Sequence, residues 1–268
     1  MIPKQIHYCW FGRGEKPALV LRCIQSWRKH LPDYRIIEWN EDNFDVNSTL
    51  YTRQAYDVKK YAFVSDYARA QALLTMGGVY LDTDVEILKP LDPFLGQDFF
   101  GGIEPGNFAA TCLLGSVPGH PILQKYLAHY EGRPFLDADG KPDTSTNVQL
   151  FTALLREIGF VQENKRQSLP GGIEFYPQEI FCPYNYLTGA VKKTKNSVAV
   201  HHFSVSWKGP KEKIKKGLKK AVARVFGGQT VAFFTRLRIK VLRGLLWLIK
   251  KITPQRLRDR LKGRTGAS

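Results

Sequence analysis

The chain has 268 residues, 43% of them hydrophobic and 12% aromatic, enough to bury a proper core and too apolar for a disordered polypeptide. Its formal net charge of +16 is concentrated in one place: residues 211–268 hold 18 Lys and Arg against 2 Asp and Glu, while residues 1–210 hold 22 of each. A neutral body excludes a generally basic, nucleic-acid-type surface on the globular part, and four scattered cysteines (Cys9, Cys23, Cys112, Cys182) with no CxxC pair argue against a zinc site or a disulfide framework and suit a reducing compartment.

The opening "MIPKQIHYCWFGRG" has no long apolar core of the signal-peptide kind, so a cytoplasmic protein is expected. "PKQIHYCWFG" predicts a short strand ending in a glycine-containing loop. "ALVLRCIQSWRKHLP" carries apolar residues at helical spacing and stops at Pro32. "YRIIEWNEDNF" predicts a second strand running into a polar loop, and "YAFVSDYARAQALLTMGG" a helix that Gly77 ends. "VYLDTDVEIL" reads as the next strand and "KPLDP" as a turn. This order predicts an α/β domain with a mixed, largely parallel sheet flanked by helices. From about 95 to 200 many Gly and Pro residues predict loops over short strands, "STNVQLFTALLREIGF" a helix capped near Ser145 or Thr146, and "SVAVHHFSVSWKG" a last strand and loop. No internal repeat is visible. Composition changes abruptly after Pro210, which divides the chain into 1–210 and 211–268.

Asp82 and Asp84 raise the question of function. On an extended strand side chains alternate with a period of two, so these carboxylates would point the same way, at the strand end where α/β sheets bind ligands. Like charges side by side are tolerated in water or around a cation. Magnesium and manganese take oxygen ligands, commonly one or two carboxylates together with substrate phosphates. The preceding helix brings Ser65, Asp66 and Arg69 onto one face by spacings of three and four. Short D-x-D matches are common, so a solvated strand end and an Asp–Arg surface pair stay open at this point.

Four segments, "IPKQIHYCWFG", "YAFVSDYARAQALLTMGGVYLDTDVEIL", "KPLDPFL" and "HHFSVSW", together resemble the DXD-containing sugar transferases of glycosyltransferase family 32 over residues 1–210. The resemblance implies a GT-A fold, a nucleotide-sugar donor, Mn2+ or Mg2+, and retention of anomeric configuration. It implies that Trp10 stacks on the nucleotide base and that Tyr80 lies beside the nucleotide. Ser65, Asp66 and Arg69 would hold ribose, sugar hydroxyls and the diphosphate region. Asp82 would contact the donor and the metal, Asp84 would ligate the metal, and Ser206 and Trp207 would close over the diphosphate. A histidine of "HHFSVSW" would complete the metal site; alternation sends His201 and His202 to opposite faces, and His202 is favoured. Glu104, Asn107, His120, Asn147 and Gln149 are expected to line the acceptor side.

In the tail, "VAFFTRLRIKVLRGLLWLIKKI" plotted as a helix gathers Arg236, Lys240, Arg243, Lys250 and Lys251 in one arc, opposite Leu237, Val241, Leu245 and Leu248 among others. No apolar run approaches the roughly 18 residues of a membrane span. This predicts a helix lying on an anionic membrane surface, a helix docked on the catalytic domain or on a partner staying open, the partners being a nucleotide-sugar donor, a glycan or lipid-linked acceptor and the inner face of the membrane, with no nucleic acid. Two other readings are a metal-dependent nucleotidyltransferase, for which "WFGRGEKP" is a poor phosphate loop, and a non-enzymatic module binding lipid or nucleic acid.

Overall fold

Two βα units open the chain, and the helix before the acidic pair ends on a pair of glycines. In the computed structural model, which describes residues 1–185 and 189–204, β1 (Gln5–Cys9) leads into α1 (Ala18–His30), β2 (Arg35–Trp39), α2 (Leu50–Asp57), α3 (Tyr61–Met76) and β3 (Gly78–Leu81). Then come β4 (Val85–Ile87), β5 (Phe99–Glu104), β6 (Phe108–Ser116), α4 (Pro121–Ala128) and α5 (Asn147–Arg156), and β7 (Gln167–Leu169), β8 (Ile173–Tyr176), α6 (Gln178–Phe181), β9 (Tyr184–Asn185), β10 (Ala190–Val191) and β11 (Ala199–His201). The tail 211–268, Ser206 and Trp207 lie outside the described residues.

Seven strands form one mixed sheet in the order β2-β1-β3-β6-β5-β8-β7. β1 runs parallel to β2 and β3, and β5 parallel to β8, while antiparallel ladders join β3 to β6, β6 to β5 and β8 to β7. Alternation along β3 supplies both faces: Tyr80 enters the apolar cluster shared with α2–α5, and Val79 and Leu81 enter the cluster shared with α1 and α6. α1 buries Val20, Cys23, Ile24 and Trp27, one stripe at helical spacing, and the Trp27 indole donates to the Val85 carbonyl at 2.7 Å.

The link from α3 to β3 depends on two glycines. Gly77 (φ +63°) and Gly78 (φ +101°) adopt positive φ, and a Cβ at either would come within 2.9 Å of Ser116 or Gln5 backbone oxygen. Only glycine combines that conformation with that closeness. Three stretches depart from the sequence reading. α2 forms in a stretch to which the sequence reading gave no element, and α4 forms where loops over short strands were expected. β6 is a full nine-residue strand in a segment that its glycines and prolines made look like loop. "VYLDTDVEIL" is two strands in different sheets, because β4 leaves the seven-stranded sheet to pair with β11.

Candidate active site

That change of sheet creates the site. β3 ends at Leu81, and the chain reverses through Asp82, Thr83 and Asp84 in a turn closed by the Val85 N–H donating to the Asp82 carbonyl at 2.9 Å. The carboxylates are therefore gathered by a turn, and the strand pleat expected from the sequence is corrected. A carboxylate oxygen of each, together with a nitrogen of His201, lies within 4.8 Å of the others.

The histidine is His201, which corrects the preference for His202. β11 pairs antiparallel with β4, with His201 opposite Val85 and Val200 opposite Glu86. By alternation His202 shares the side of Glu86, to whose carboxylate its Nε2 is bonded at 3.0 Å. His201 takes the other side, with Nε2 at 3.2 Å from Asp84 Oδ1. Asp84 Oδ2 accepts from the Ser204 N–H at 2.6 Å. Burial alone would raise the Asp84 pKa, but His201 and the Ser204 amide outweigh it and hold the carboxyl well below its usual range. Burial likewise opposes charge on His201, yet the Cys112 sulfur and Asp84 push its pKa up.

Arg69 is the hub that joins α3 to the acidic turn. It is 6% exposed; its Nη2 donates to Asp66 Oδ1 at 2.8 Å, its Nη1 to the Thr111 carbonyl at 2.9 Å, and its Nε to the Ser65 carbonyl at 3.2 Å. Nη1 also stands 3.3 Å from Asp82 Oδ1, which accepts from the Tyr80 hydroxyl at 2.9 Å. The guanidinium carbon lies 4.6 Å from the Tyr80 ring centre, a cation–π arrangement that a Lys would not reproduce. The spacing of Ser65, Asp66 and Arg69 thus yields a buried bridge between the helix and the acidic turn. The Ser65 hydroxyl bonds back to the Tyr61 carbonyl at 3.1 Å.

These groups line a cleft of about 790 Å³, with Trp10, Ser65 and Tyr80 in its wall. The half-buried Trp10 lines the cleft, its indole donating to the Gly14 carbonyl at 2.7 Å. Of the five residues expected on the acceptor side, Glu104, Asn147 and Gln149 line the cleft. His120 instead caps α4, its Nδ1 accepting from the Ile122 N–H at 3.2 Å, and Asn107 sits in the β5–β6 turn at φ +63°. Asn147, at the start of α5, donates to Asp66 Oδ1 at 2.6 Å. Burial pushes Asp66 up to about 7 against the pull of Arg69, and pushes half-buried Glu104 up to about 7 against the pull of His201.

The donor set at the acidic turn supports a cation here, in a cleft whose lining carries Asp66, Asp82, Asp84 and Glu104 alongside Arg69, His201, Lys59 and Lys60. Asp82 Oδ2 receives no hydrogen bond from a described residue, and the His201 nitrogen beside Asp84 adds an imidazole ligand. A divalent ion that prefers oxygen and accepts imidazole fits this donor set. Sequence reasoning missed the Asn147–Asp66 bond and the place of His201, because both depend on pairing between distant segments.

A mixed sheet with an acidic turn at a strand end, beside a cleft lined by polar and aromatic side chains, agrees with the GT-A type sugar transferase that the sequence resemblance implied. Residues 17–100 match the family model described as a glycosyltransferase sugar-binding region containing a DXD motif. An uncharacterized glycosyltransferase, L373, of Acanthamoeba polyphaga mimivirus is 32% identical over 219 residues, covering 76% of this chain and 86% of that protein. The inositol phosphoceramide mannosyltransferase 1 of Schizosaccharomyces pombe is 27% identical over 135 residues, 46% of this chain and 40% of its own length. Among solved structures, the PaToxG glycosyltransferase aligns with a TM-score of 0.44 at 18% identity, covering 58% of this chain and 68% of that one. The chain belongs to the DXD-containing glycosyltransferase family and is a glycosyltransferase.

Proposed function

We propose that the chain is a metal-dependent, retaining glycosyltransferase that moves a sugar from a nucleotide-sugar, a UDP-sugar ahead of a GDP-sugar, to a glycan or lipid-linked acceptor in cell-surface polysaccharide synthesis. The observation that carries this reading is the convergence of Asp82, Asp84 and His201 within 4.8 Å at one wall of the cleft. Asp82, Asp84 and His201 would hold Mn2+ or Mg2+, which when bound neutralises charge on the departing diphosphate. Trp10 in the cleft wall offers a ring for the base, and Ser65 and Tyr80 flank the nucleotide. Arg69 fixes Asp66 and Asp82 in place and adds positive charge toward the diphosphate. Asp66, held by Arg69 and Asn147 and poised near neutral pH, is suited to orient sugar hydroxyls. Ser206 and Trp207 would cover the diphosphate.

Retention through a double displacement needs a free carboxylate nucleophile. Asp66 and Asp84 are each bound by neighbouring donors, the open Oδ2 of Asp82 would be taken by the metal, and burial pushes Glu104 up to about 7. This supports a front-face displacement in which a leaving phosphate oxygen takes the acceptor's proton. The basic, apolar-striped segment 211–268 would hold the catalytic domain 1–210 on the inner face of the membrane. The fission-yeast relative is named for mannosyl transfer to inositol phosphoceramide, which supports a lipid-borne acceptor. Incubation with a panel of nucleotide-sugars and Mn2+ tests the reading: slow release of nucleoside diphosphate, abolished in Asp84→Asn, is expected. Pyrophosphate release from a nucleoside triphosphate, or inactivity with every donor, would contradict it.

A further inference from the structure

Cys112 on β6 and Cys182 just after α6 are both buried, and their sulfurs lie 3.6 Å apart although the residues are 70 positions apart in sequence. With a nitrogen of His201 they form a group of three ligand atoms within 4.8 Å of one another. His201 meets Asp84 through Nε2, while its Nδ1 is buried and has no hydrogen-bond partner among the described residues. A carboxylate on one ring nitrogen and an unengaged second nitrogen is how proteins commonly orient a metal-binding imidazole. Two sulfurs on a tetrahedral zinc, each at about 2.3 Å, stand about 3.8 Å apart, so the observed spacing needs little movement. Cys112 and His201 both line the cleft, which gives an ion a way in.

We infer that Cys112, Cys182 and His201 form a second cation site, selective for thiophilic metals such as Zn2+, that shares His201 with the acidic turn. On binding, two thiol protons and any proton on Nδ1 pass to solvent, two metal–sulfur bonds and one metal–nitrogen bond form, and a cleft water takes the fourth position. No electron is transferred. The donor set separates the two cations: thiolate and imidazole favour zinc, carboxylate oxygens favour magnesium and manganese. With Nε2–H given to Asp84 and Nδ1 to zinc, His201 has no lone pair left for an ion at the turn. Zinc therefore opposes manganese. That competition rests on the proposed function; the thiolate site does not.

The full chain, stripped with chelator and kept reduced with a phosphine, is titrated with Co2+. One equivalent per chain should produce a thiolate-to-cobalt charge-transfer band with intense visible absorption, and zinc should bleach it. The band should vanish in Cys112→Ser and in Cys182→Ser and persist in Cys23→Ser and Asp82→Asn. No band in the wild type, or a band surviving in both Cys112→Ser and Cys182→Ser, overturns the inference. Should those variants lose their far-ultraviolet circular dichroism, zinc-edge X-ray absorption on the wild type decides. Two sulfurs at about 2.3 Å support the site and an all-nitrogen/oxygen shell overturns it. A band without Mn2+-dependent donor turnover would sink the proposed function alone; turnover without a band would sink this site alone.

Discussion

Replacing Arg69 with Met tests whether the buried bridge holds the cleft together. The substitution keeps much of the stem's packing but leaves Asp66 and Asp82 facing each other without the guanidinium, and frees the Ser65 and Thr111 carbonyls. Removing one partner of a buried pair costs about 3–5 kcal/mol. At about 2–4 °C per kcal/mol for a domain of this size, the unfolding midpoint should fall by roughly 6–20 °C. The loss should grow as pH rises, because protonation relieves the stranded Asp66, which burial already pushes up to about 7. Circular dichroism melts in chelator, with Asp66→Asn, Asp82→Asn and the combined variants, give the coupling directly. The triple variant, carrying no buried charge at these positions, should regain most of the loss. A drop under about 2 °C, or one unchanged by neutralising Asp66 and Asp82, would refute the reasoning.

The two histidines should separate: His201→Ala should raise the Mn2+ concentration for half-maximal donor hydrolysis at least about tenfold, and His202→Ala, on the Glu86 side, should leave it within about twofold; equal effects would contradict the geometry. In chelator, folding holds Asp66 and Glu104 protonated up to about 7, whereas the unfolded chain releases those protons near pH 4. The folded state thus binds more protons across that window, and stability should fall as pH rises from about 5 to about 7.5; Asp66→Asn/Glu104→Gln should flatten the fall, and a midpoint rising with pH would contradict it. In liposome co-sedimentation the full chain should pellet with anionic vesicles and the 1–210 truncation should not; equal binding removes the membrane role of 211–268.

Much of the N-terminal half was legible in sequence because local signals agree there. The stripe of Val20, Cys23, Ile24 and Trp27 dictates α1, and the Gly77-Gly78 pair fixes where α3 stops. The polar face of Ser65, Asp66 and Arg69 follows from helical spacing alone. What failed to appear depends on partners distant in sequence. Asp82-Thr83-Asp84 fits a strand or a turn equally well, and pairing of β4 with β11 selects the turn. Alternation separates His201 from His202 but does not say which faces the acids; register against Val85 and Glu86 does. Cys112 and Cys182, without local spacing to announce them, meet only because β6 and the end of α6 pack together. Short helices such as α2, closed by the Thr49–Thr52 cap, were hidden in polar loop composition.

Calorimetric titration of UDP into the full chain, with Mn2+ and then with chelator, tests the cation-centred cleft most directly. Binding that requires Mn2+ in the wild type and disappears in Asp84→Asn is the predicted result. UDP binding of equal strength in chelator, or undiminished in Asp84→Asn, would contradict it.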